Sequence, residues 1–486
     1  MFALVQQLVA PVVVAWWAMG SLKRLPSTVN FPFLPLVLLS VSAPLQSWVF
    51  ESQDVSLGVQ AQVRLSTLVS GGFLLLWAVC VIISLLIARG ELRIPRLSFY
   101  EKLVLLFLPL SVFSTLVGLV MDNSLDYIIS DTYKFAFFSI IYLATVLAVR
   151  PKNAMSFSKA LLQLILIVFL IGVTVQVVNT VINGPQRGGA TGIVFFLLPY
   201  FLSVEASGGR DPVFHTSRWV RMLIIIAMLI SVYLSFTRMY WLVSLFEILL
   251  CLIMVRKPIR THASIAFTFT VILVGIVALM WISSSLLPSA YREIDFMRQA
   301  RVQEFWAGFD EVSAGLTGER KPTHSLSEKT SEGHDVLEHM KENGDAINYL
   351  VGFGNGAEYR ATTGNITSRV VSSKGPDFNH NIHNIFYGVL FRQGILGVLF
   401  VGLFFAALLY GLYKAWRRVQ GASKIIVGAF LLGSWAYVIN QLSIVGMFWD
   451  PLYVVGLAFI GQLIRFEVSN RVAGAATPAG NQVTSP

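Results

Sequence analysis

Long apolar runs separated by short polar loops dominate this chain, and a run of about 20 apolar residues is long enough to cross a bilayer as a helix. The runs occupy residues 4–20, 31–49, 68–88, 103–121, 132–149, 160–182, 191–206, 220–236, 239–255, 264–286, 395–413, 425–447 and 450–466. The first run is short and contains Pro11, so the pattern predicts 12 or 13 membrane spans. No basic region precedes this run, so we expect no cleavable signal peptide.

Composition supports the same class of protein. Of the 486 residues, 55% are hydrophobic and only 13% are charged, and the mean hydropathy is +0.70. Soluble domains average about 25% charged residues. The sequence therefore predicts an all-α, polytopic membrane helix bundle. Cys80 and Cys251 both lie inside apolar runs, which argues against a disulfide framework or a cysteine metal site.

The net charge of +10 reflects membrane topology rather than nucleic-acid binding. Basic residues concentrate in alternate short loops, for example at Arg150 and Lys152 and at Arg417 and Arg418, whereas loops such as 122–131 are acidic or nearly neutral. Lys and Arg mark cytoplasmic loops. The acidic set is therefore predicted to face outward, together with one long polar loop.

Four regions follow from this pattern. We expect membrane helices over 1–286, an extracytoplasmic loop with short helices over 287–382, further membrane helices over 383–466, and a disordered cytoplasmic tail over 467–486.

Within the long loop, helical signals alternate with glycine-rich and polar stretches. Tyr291–Glu311 has the spacing of an amphipathic helix. Gly315–Gly333 is polar and rich in Gly and Pro, which favours a mobile segment. A second short helix is predicted around Val336–Leu350, and the glycine turn Gly352–Gly356 follows it.

The residues that could take part in catalysis are concentrated where this loop returns to the membrane. His380 and His383 are three residues apart, which on a helix would place them on one face. One interpretation is a polar pocket with a histidine base, since histidine titrates near neutral pH. In one alternative, the histidines are ordinary aromatic residues of the membrane interface. In another, they ligate a metal, which would need a third ligand such as Asp377. The histidine spacing matches no zinc pattern, so we expect no metal.

After the histidines, small residues mark the beginning of the next apolar run. Asn384 follows His383 directly, and Gly394 and Gly397 lie one turn apart. These glycines are predicted to give the following helix a smooth flank for close packing.

Two arginines lie in short turns on the predicted outward side. Arg238 lies between adjacent spans, where it could bind substrate, extend to the interface or pair with lipid phosphate. Arg187 lies in the glycine-rich turn Gly184–Gly192, which is either an anion-binding turn or an ordinary surface turn.

The segment from His383 to Gly397, preceded by G-F-G-N-G, resembles the bacterial O-antigen ligase and polysaccharide polymerase superfamily. The S-F-T-R motif ending at Arg238 resembles the family's arginine turn, and Arg187–Gly192 followed by Pro199 resembles an upstream element. The resemblance extends over roughly residues 60–466. The family's loop arginine corresponds to Arg298 or Arg301, ahead of Trp306, in a loop longer than a minimal member needs.

The resemblance implies a GT-C-like glycosyltransferase in the bacterial inner membrane, acting on its outer face. Such an enzyme would take a glycan from undecaprenyl diphosphate and transfer it to an acceptor hydroxyl. His383 would be the base. Diphosphate and substrate would be bound by arginines and neighbouring polar side chains: Arg187, Arg238, Arg298 or Arg301, His380 and Asn384. No metal, nucleotide or other cofactor is implied.

Three functions remain open at this point. A polymerase extends a glycan chain on its lipid carrier, and the long polar loop favours it because such a loop could hold a sugar chain. A ligase would instead transfer the chain to lipid A-core. A transporter or flippase of lipid-linked sugars is the alternative of another class, although inverted repeats typical of transporters are not evident. Beyond glycan substrates and the bilayer, other polysaccharide-assembly membrane proteins are potential partners.

Overall fold

The computed structural model describes residues 96–183, 191–207, 211–234, 238–254, 326–360, 378–380, 382, 384–441 and 451–476. These residues form helices, one 3-10 turn and two short antiparallel strands. The helices are α1 (Phe99–Val120), α2 (Leu125–Ala148), α3 (Ala154–Asn183), α4 (Thr191–Ser207), α5 (Arg218–Leu234), α6 (Arg238–Met254), α7 (Leu326–Asn343), α8 (Ala346–Val351), α9 (Ile385–Arg418), α10 (Gly421–Gln441) and α11 (Pro451–Ala476). The strands are β1 (Tyr359–Arg360) and β2 (Phe378–Asn379).

The helical membrane class is confirmed. Among the described residues, 4 helices are long and apolar enough to cross a membrane: Phe99–Val120, Pro151–Thr174, Ile385–Arg418 and Gly421–Ile439. Every predicted apolar run in the described part of the chain overlaps a helix. The runs at 4–20, 31–49, 68–88 and 264–286 lie outside it, so the total of 12 or 13 spans stays a prediction.

Aromatic side chains hold α1, α2 and α9 together. The ring of Phe107 on α1 is fully buried and packs edge-on against Phe138 of α2 and Phe404 of α9, at centroid distances of 5.4 and 5.1 Å. The opposite face of α1 exposes large apolar side chains, including Val112 and Leu116. An exposed apolar face is expected of a helix that contacts lipid on one side and protein on the other.

Buried ion pairs join the helices at the end predicted to be cytoplasmic. Glu101 near the beginning of α1 accepts hydrogen bonds from Tyr142 of α2 and from Arg465 of α11. The Nε of Arg221 donates to Glu205 across α5 and α4 at 2.7 Å. Both carboxylates are buried. These contacts connect the predicted basic loops to the helix bundle.

The long loop is more ordered than its polar sequence predicts, because α7 begins at Leu326 within the segment expected to be mobile. Val336 and Met340 lie one turn apart on α7 and are fully buried against Tyr359 and Phe391. This apolar contact explains why the helix extends through a polar stretch. The single helix expected around 336–350 is instead two, because the chain turns at Gly344 before α8.

Helix α9 bends sharply at Gly394. This residue has φ +64° and ψ −165°, values outside the helical region, so two helical segments meet at it. The second segment coincides with the predicted apolar run 395–413. The glycine predicted to provide a smooth helix flank therefore breaks the helix, and the backbone of Leu350 in α8 packs closely against it.

Candidate functional site

The glycine turn Gly352–Gly356 fits between α1 and α9. Gly352, Gly354 and Gly356 all have positive φ, near +80°. The amides of Phe353 and Gly354 donate to the carbonyls of Phe391 and Arg392 at 2.8 and 3.0 Å, just before the bend in α9. Because the helix bends at Gly394, these carbonyls can accept hydrogen bonds from the amides of the turn. The turn is therefore a structural connection between the loop and the membrane helices.

Asn355 at the tip of this turn is completely buried among hydroxyl groups of α1 and α2. Its backbone amide donates to the carbonyl of Ser114, and its Oδ1 accepts from the hydroxyl of Ser114, both at 2.9 Å. Its Nδ2 donates to the hydroxyls of Thr115 and Thr132 at 3.1 and 3.2 Å. A buried amide side chain needs this number of partners, so Asn355 fixes the turn in one position.

An ion cluster lies next to the turn, and Asp131 of α2 is its centre. Its Oδ2 is 2.6 Å from Nε of Arg392 and accepts from the amide of Gly356 at 3.0 Å. Its Oδ1 is 3.4 Å from Nε2 of His380. The exposed fractions of Asp131, Arg392 and His380 are 2%, 6% and 7%. The cluster is therefore shielded from water, where electrostatic interactions are stronger than at the surface.

The ring of His380 is held on several sides. It stacks on the ring of Tyr127 at a centroid distance of 4.1 Å and an interplanar angle of 6°. Its Nδ1 is 3.2 Å from the carbonyl oxygen of Ala357, which can only accept, so Nδ1 carries the proton in this contact. Its own carbonyl accepts from Nη2 of Arg392 at 2.7 Å. His380 is thus part of the protein interior.

A second polar contact joins β1 to α7. The buried Tyr359 hydroxyl donates to Glu332 at 3.3 Å. Burial and the nearby Glu332 carboxylate raise the pKa of the Tyr359 phenol above its ordinary value. The phenol therefore stays protonated as a donor at physiological pH.

The described structure includes three of the predicted site residues. His380 is buried. Asn384 is the N-cap of α9, and its Oδ1 accepts from the amides of Phe386 and Tyr387 at 2.9 and 3.5 Å. Arg238 is the first residue of α6.

Four other predicted site residues lie outside the described residues: Arg187, Arg298, Arg301 and His383. The helical face that His380 and His383 would share stays a prediction, because His383 lies outside the described residues; His380 itself lies between β2, which ends at Asn379, and α9, which begins at Ile385. Asn384 before an apolar run is a recognised helix-start signal, and it indicates this boundary.

Sequence reasoning missed Asp131, Arg392 and Glu247. Asp131 looks like one more acidic residue of an outward loop, and Arg392 is a single charge in an apolar run. Glu247 lies inside the predicted run 239–255, and a carboxyl group at membrane depth is itself a signal. It is 1% exposed, and neither carboxylate oxygen has a hydrogen-bond partner in the described part of the chain.

One group of possible metal ligands occurs on α7 among the described residues. His334, Asp335 and Glu338 each place one ligand atom within 4.8 Å of the others. No role was predicted for His334 from the sequence. Its Nδ1 lies 3.6 Å from Glu338, as expected for an ordinary i,i+4 pair on an exposed helix face.

Together, the fold and this site define a polytopic helical membrane protein whose polar loop is fixed to one end of the bundle by a glycine turn and a buried ion cluster. Residues 223–402 match the family model described as O-antigen ligase. This match confirms the predicted resemblance to the O-antigen ligase and polymerase superfamily. A comparison with curated proteins gave no match.

Proposed function

We propose that this protein is a glycosyltransferase that moves a glycan from undecaprenyl diphosphate to an acceptor sugar hydroxyl, and that it acts as a polysaccharide polymerase. The observation that carries the proposal is the family match, since residues 223–402 include Arg238, Arg298, Arg301 and His383. The family supports ligase-type or polymerase-type activity. The long polar loop favours a polymerase, because α7, α8 and the strands give it an ordered surface for a sugar chain.

The proposed reaction breaks the bond between the anomeric carbon and the diphosphate oxygen, and forms a glycosidic bond to the acceptor oxygen. The diphosphate leaves with the electron pair, and His383 takes the proton of the acceptor hydroxyl. Guanidinium groups suit diphosphate because they stay charged and bind two oxygens at once. Arg238, Arg187 and one of Arg298 and Arg301 are assigned to this task. No metal is required by the scheme.

The surroundings of His380 support the choice of His383 as the base. His380 is buried, and its ring nitrogens face Asp131 and the carbonyl of Ala357. A base must reach the acceptor hydroxyl, and a ring engaged in this way is not available to do so. Asn384 has its Oδ1 engaged in capping α9, so we assign it a structural role rather than sugar binding.

The proposed reaction takes place on the extracytoplasmic face of the inner membrane. The supporting observation is that parts predicted to face outward contact one another. The side-chain Nδ2 of Asn123, between α1 and α2, donates to the carbonyl of Phe353 at 2.9 Å, and Asp131 binds the glycine turn. The undecaprenyl-linked donor would approach through the bilayer, and the acceptor glycan from outside.

The test is transfer activity of purified protein in nanodiscs, with lipid-linked repeat units as donor and acceptor. His383→Ala should lower the rate per folded molecule by about 10²–10⁴-fold, the usual contribution of a general base. His334→Ala, which removes an exposed histidine from the same loop, is the matched control and should retain activity. Full activity in His383→Ala would show that His383 is not the base.

The products decide between polymerase and ligase. A ladder of longer chains on undecaprenyl diphosphate indicates a polymerase, whereas glycan transferred to added lipid A-core indicates a ligase. Movement of intact donor across the membrane without a new glycosidic bond would indicate a transporter. Loss of activity with a chelator, and its return with a divalent metal, would contradict a metal-independent reaction.

A further inference from the structure

The ion cluster joins four parts of the chain that are far apart in sequence. Asp131 belongs to α2, Gly356 to the glycine turn, His380 to the residues after β2, and Arg392 to the first segment of α9. Asp131 contacts the other three directly. The carboxylate therefore fixes the loop and the beginning of α9 relative to a membrane helix.

Arg392 uses its planar guanidinium for two tasks. Its Nε lies 2.6 Å from Oδ2 of Asp131 as a charge contact without hydrogen-bond geometry, and its Nη2 donates to the backbone carbonyl of His380 at 2.7 Å. A lysine keeps the charge but presents one compact ammonium, which cannot lie against Asp131 and also donate to the His380 carbonyl from a second nitrogen. The second contact holds the main chain at residue 380, three positions before His383.

The main chain is held on both sides of His383. Before it, His380 is fixed by Arg392 and by stacking on Tyr127, and Ile382 is buried in the apolar cluster around Phe391. After it, Asn384 caps α9. Such convergence of contacts is what a catalytic base requires, because a displacement of about 1 Å can cost on the order of 10²-fold in rate.

We propose that Asp131 and Arg392 are positioning residues for transfer: their ion pair, with the Tyr127–His380 stack, holds the chain around His383 in its working place. This inference rests on the proposed function. Asp131 lies outside the segment that matches the family model, so the match does not point to it. Neither residue contacts the substrate in this scheme. They act through the main chain.

A purely structural ion pair elsewhere in the bundle provides the control. Glu205 and Arg221 are also buried and 2.7 Å apart, but they join α4 and α5 at the predicted cytoplasmic end. Removing one partner of either pair leaves an uncompensated buried charge. Loss of stability alone would therefore affect both pairs, whereas loss of positioning would affect only Arg392 and Asp131.

The experiment compares Arg392→Lys, Asp131→Asn and Arg221→Lys in nanodiscs, at a temperature where each is folded by size exclusion and circular dichroism. Hydrogen exchange of the peptide covering 378–384 should increase in the first two variants and not in Arg221→Lys. For the same two variants, kcat should fall by about 10²-fold, with KM for the lipid-linked donor changed only a few-fold. Tyr127→Phe, which keeps the stacking ring, should retain more of the kcat than Tyr127→Leu.

Unchanged exchange over 378–384 in Arg392→Lys would overturn the inference, as would wild-type kcat in a variant whose segment exchanges faster. An equal loss of kcat in Arg221→Lys would show that the loss reflects general stability, and it would also overturn the inference. Failure of the proposed function is recognised separately, because it shows as full activity in His383→Ala. In that event the positioning role fails together with the assigned base, whereas unchanged exchange over 378–384 overturns the positioning role even when His383→Ala is inactive.

Discussion

Gly394→Ala tests the bend in α9, which joins the membrane helix to the loop. The alanine Cβ would lie 2.3 Å from the carbonyl oxygen of Leu350 and 2.5 Å from the amide nitrogen of Val351. Both are backbone atoms of α8, so no side-chain rotation can relieve the contact. The backbone at φ +64° and ψ −165° is also a conformation that residues with a Cβ rarely adopt.

The expected loss of stability has two parts. Holding a non-glycine residue in such a conformation costs on the order of 1–3 kcal/mol. Forcing a methyl group into filled space costs about 1–3 kcal/mol more. Their sum predicts that Gly394→Ala lowers the free energy of unfolding by about 2–6 kcal/mol.

Gly402→Ala is the matched control on the same helix. Among the described residues, no atom beyond its chain neighbours and the nearby backbone of the helix lies within 4 Å of the position its Cβ would take. Alanine in a helix interior is favoured over glycine by about 0.5–1 kcal/mol, so this change should be neutral or stabilising. The assay is equilibrium unfolding in mixed micelles with increasing SDS, followed by tryptophan fluorescence. Equal stabilities for the two variants would refute the reasoning.

The remaining predictions concern the diphosphate site, a buried carboxyl and the topology. Arg238→Lys keeps the charge but loses the planar fork, so glycan transfer should fall strongly with normal membrane insertion; normal transfer by folded Arg238→Ala would contradict the assignment. Glu247→Leu should stabilise the protein by about 1–3 kcal/mol in the SDS titration, because it removes a buried polar group without a described partner. Glu205→Leu, which strands Arg221, should instead destabilise it by about 3–5 kcal/mol, and a loss of stability in both would indicate that Glu247 has a partner. Cysteines at Ser325 and Asp377 should react with a membrane-impermeant thiol reagent added from outside and a cysteine at Gln420 should not; the reverse pattern would overturn the orientation.

Local signals in the sequence predicted the helical elements well. The apolar runs 103–121 and 395–413 coincide with α1 and with the second segment of α9, because length and hydropathy are sufficient to define a membrane helix. The family resemblance was also local, since one continuous segment carries its motif. The beginning of α9 was predictable in the same way from Asn384, although the family resemblance implied substrate binding for that residue.

The conformation of the glycines was not determined locally. Gly394 and Gly402 are both glycines in one apolar helix, yet only Gly394 bends it. The difference is the backbone of α8, which packs against Gly394 and leaves no room for a Cβ. A contact of this kind depends on where another element lies in space, and sequence spacing does not contain that information.

The same reason explains the position of His380, which the sequence presents as a near equivalent of His383. The sequence by itself determined that polar and titratable residues collect where the loop meets the membrane. Only the tertiary structure decided that His380 is buried, because Asp131 and Arg392 come from helices far apart in the chain. An ion pair forms where the fold brings opposite charges together in a site shielded from water. The local sequence around each residue does not specify which charges become neighbours.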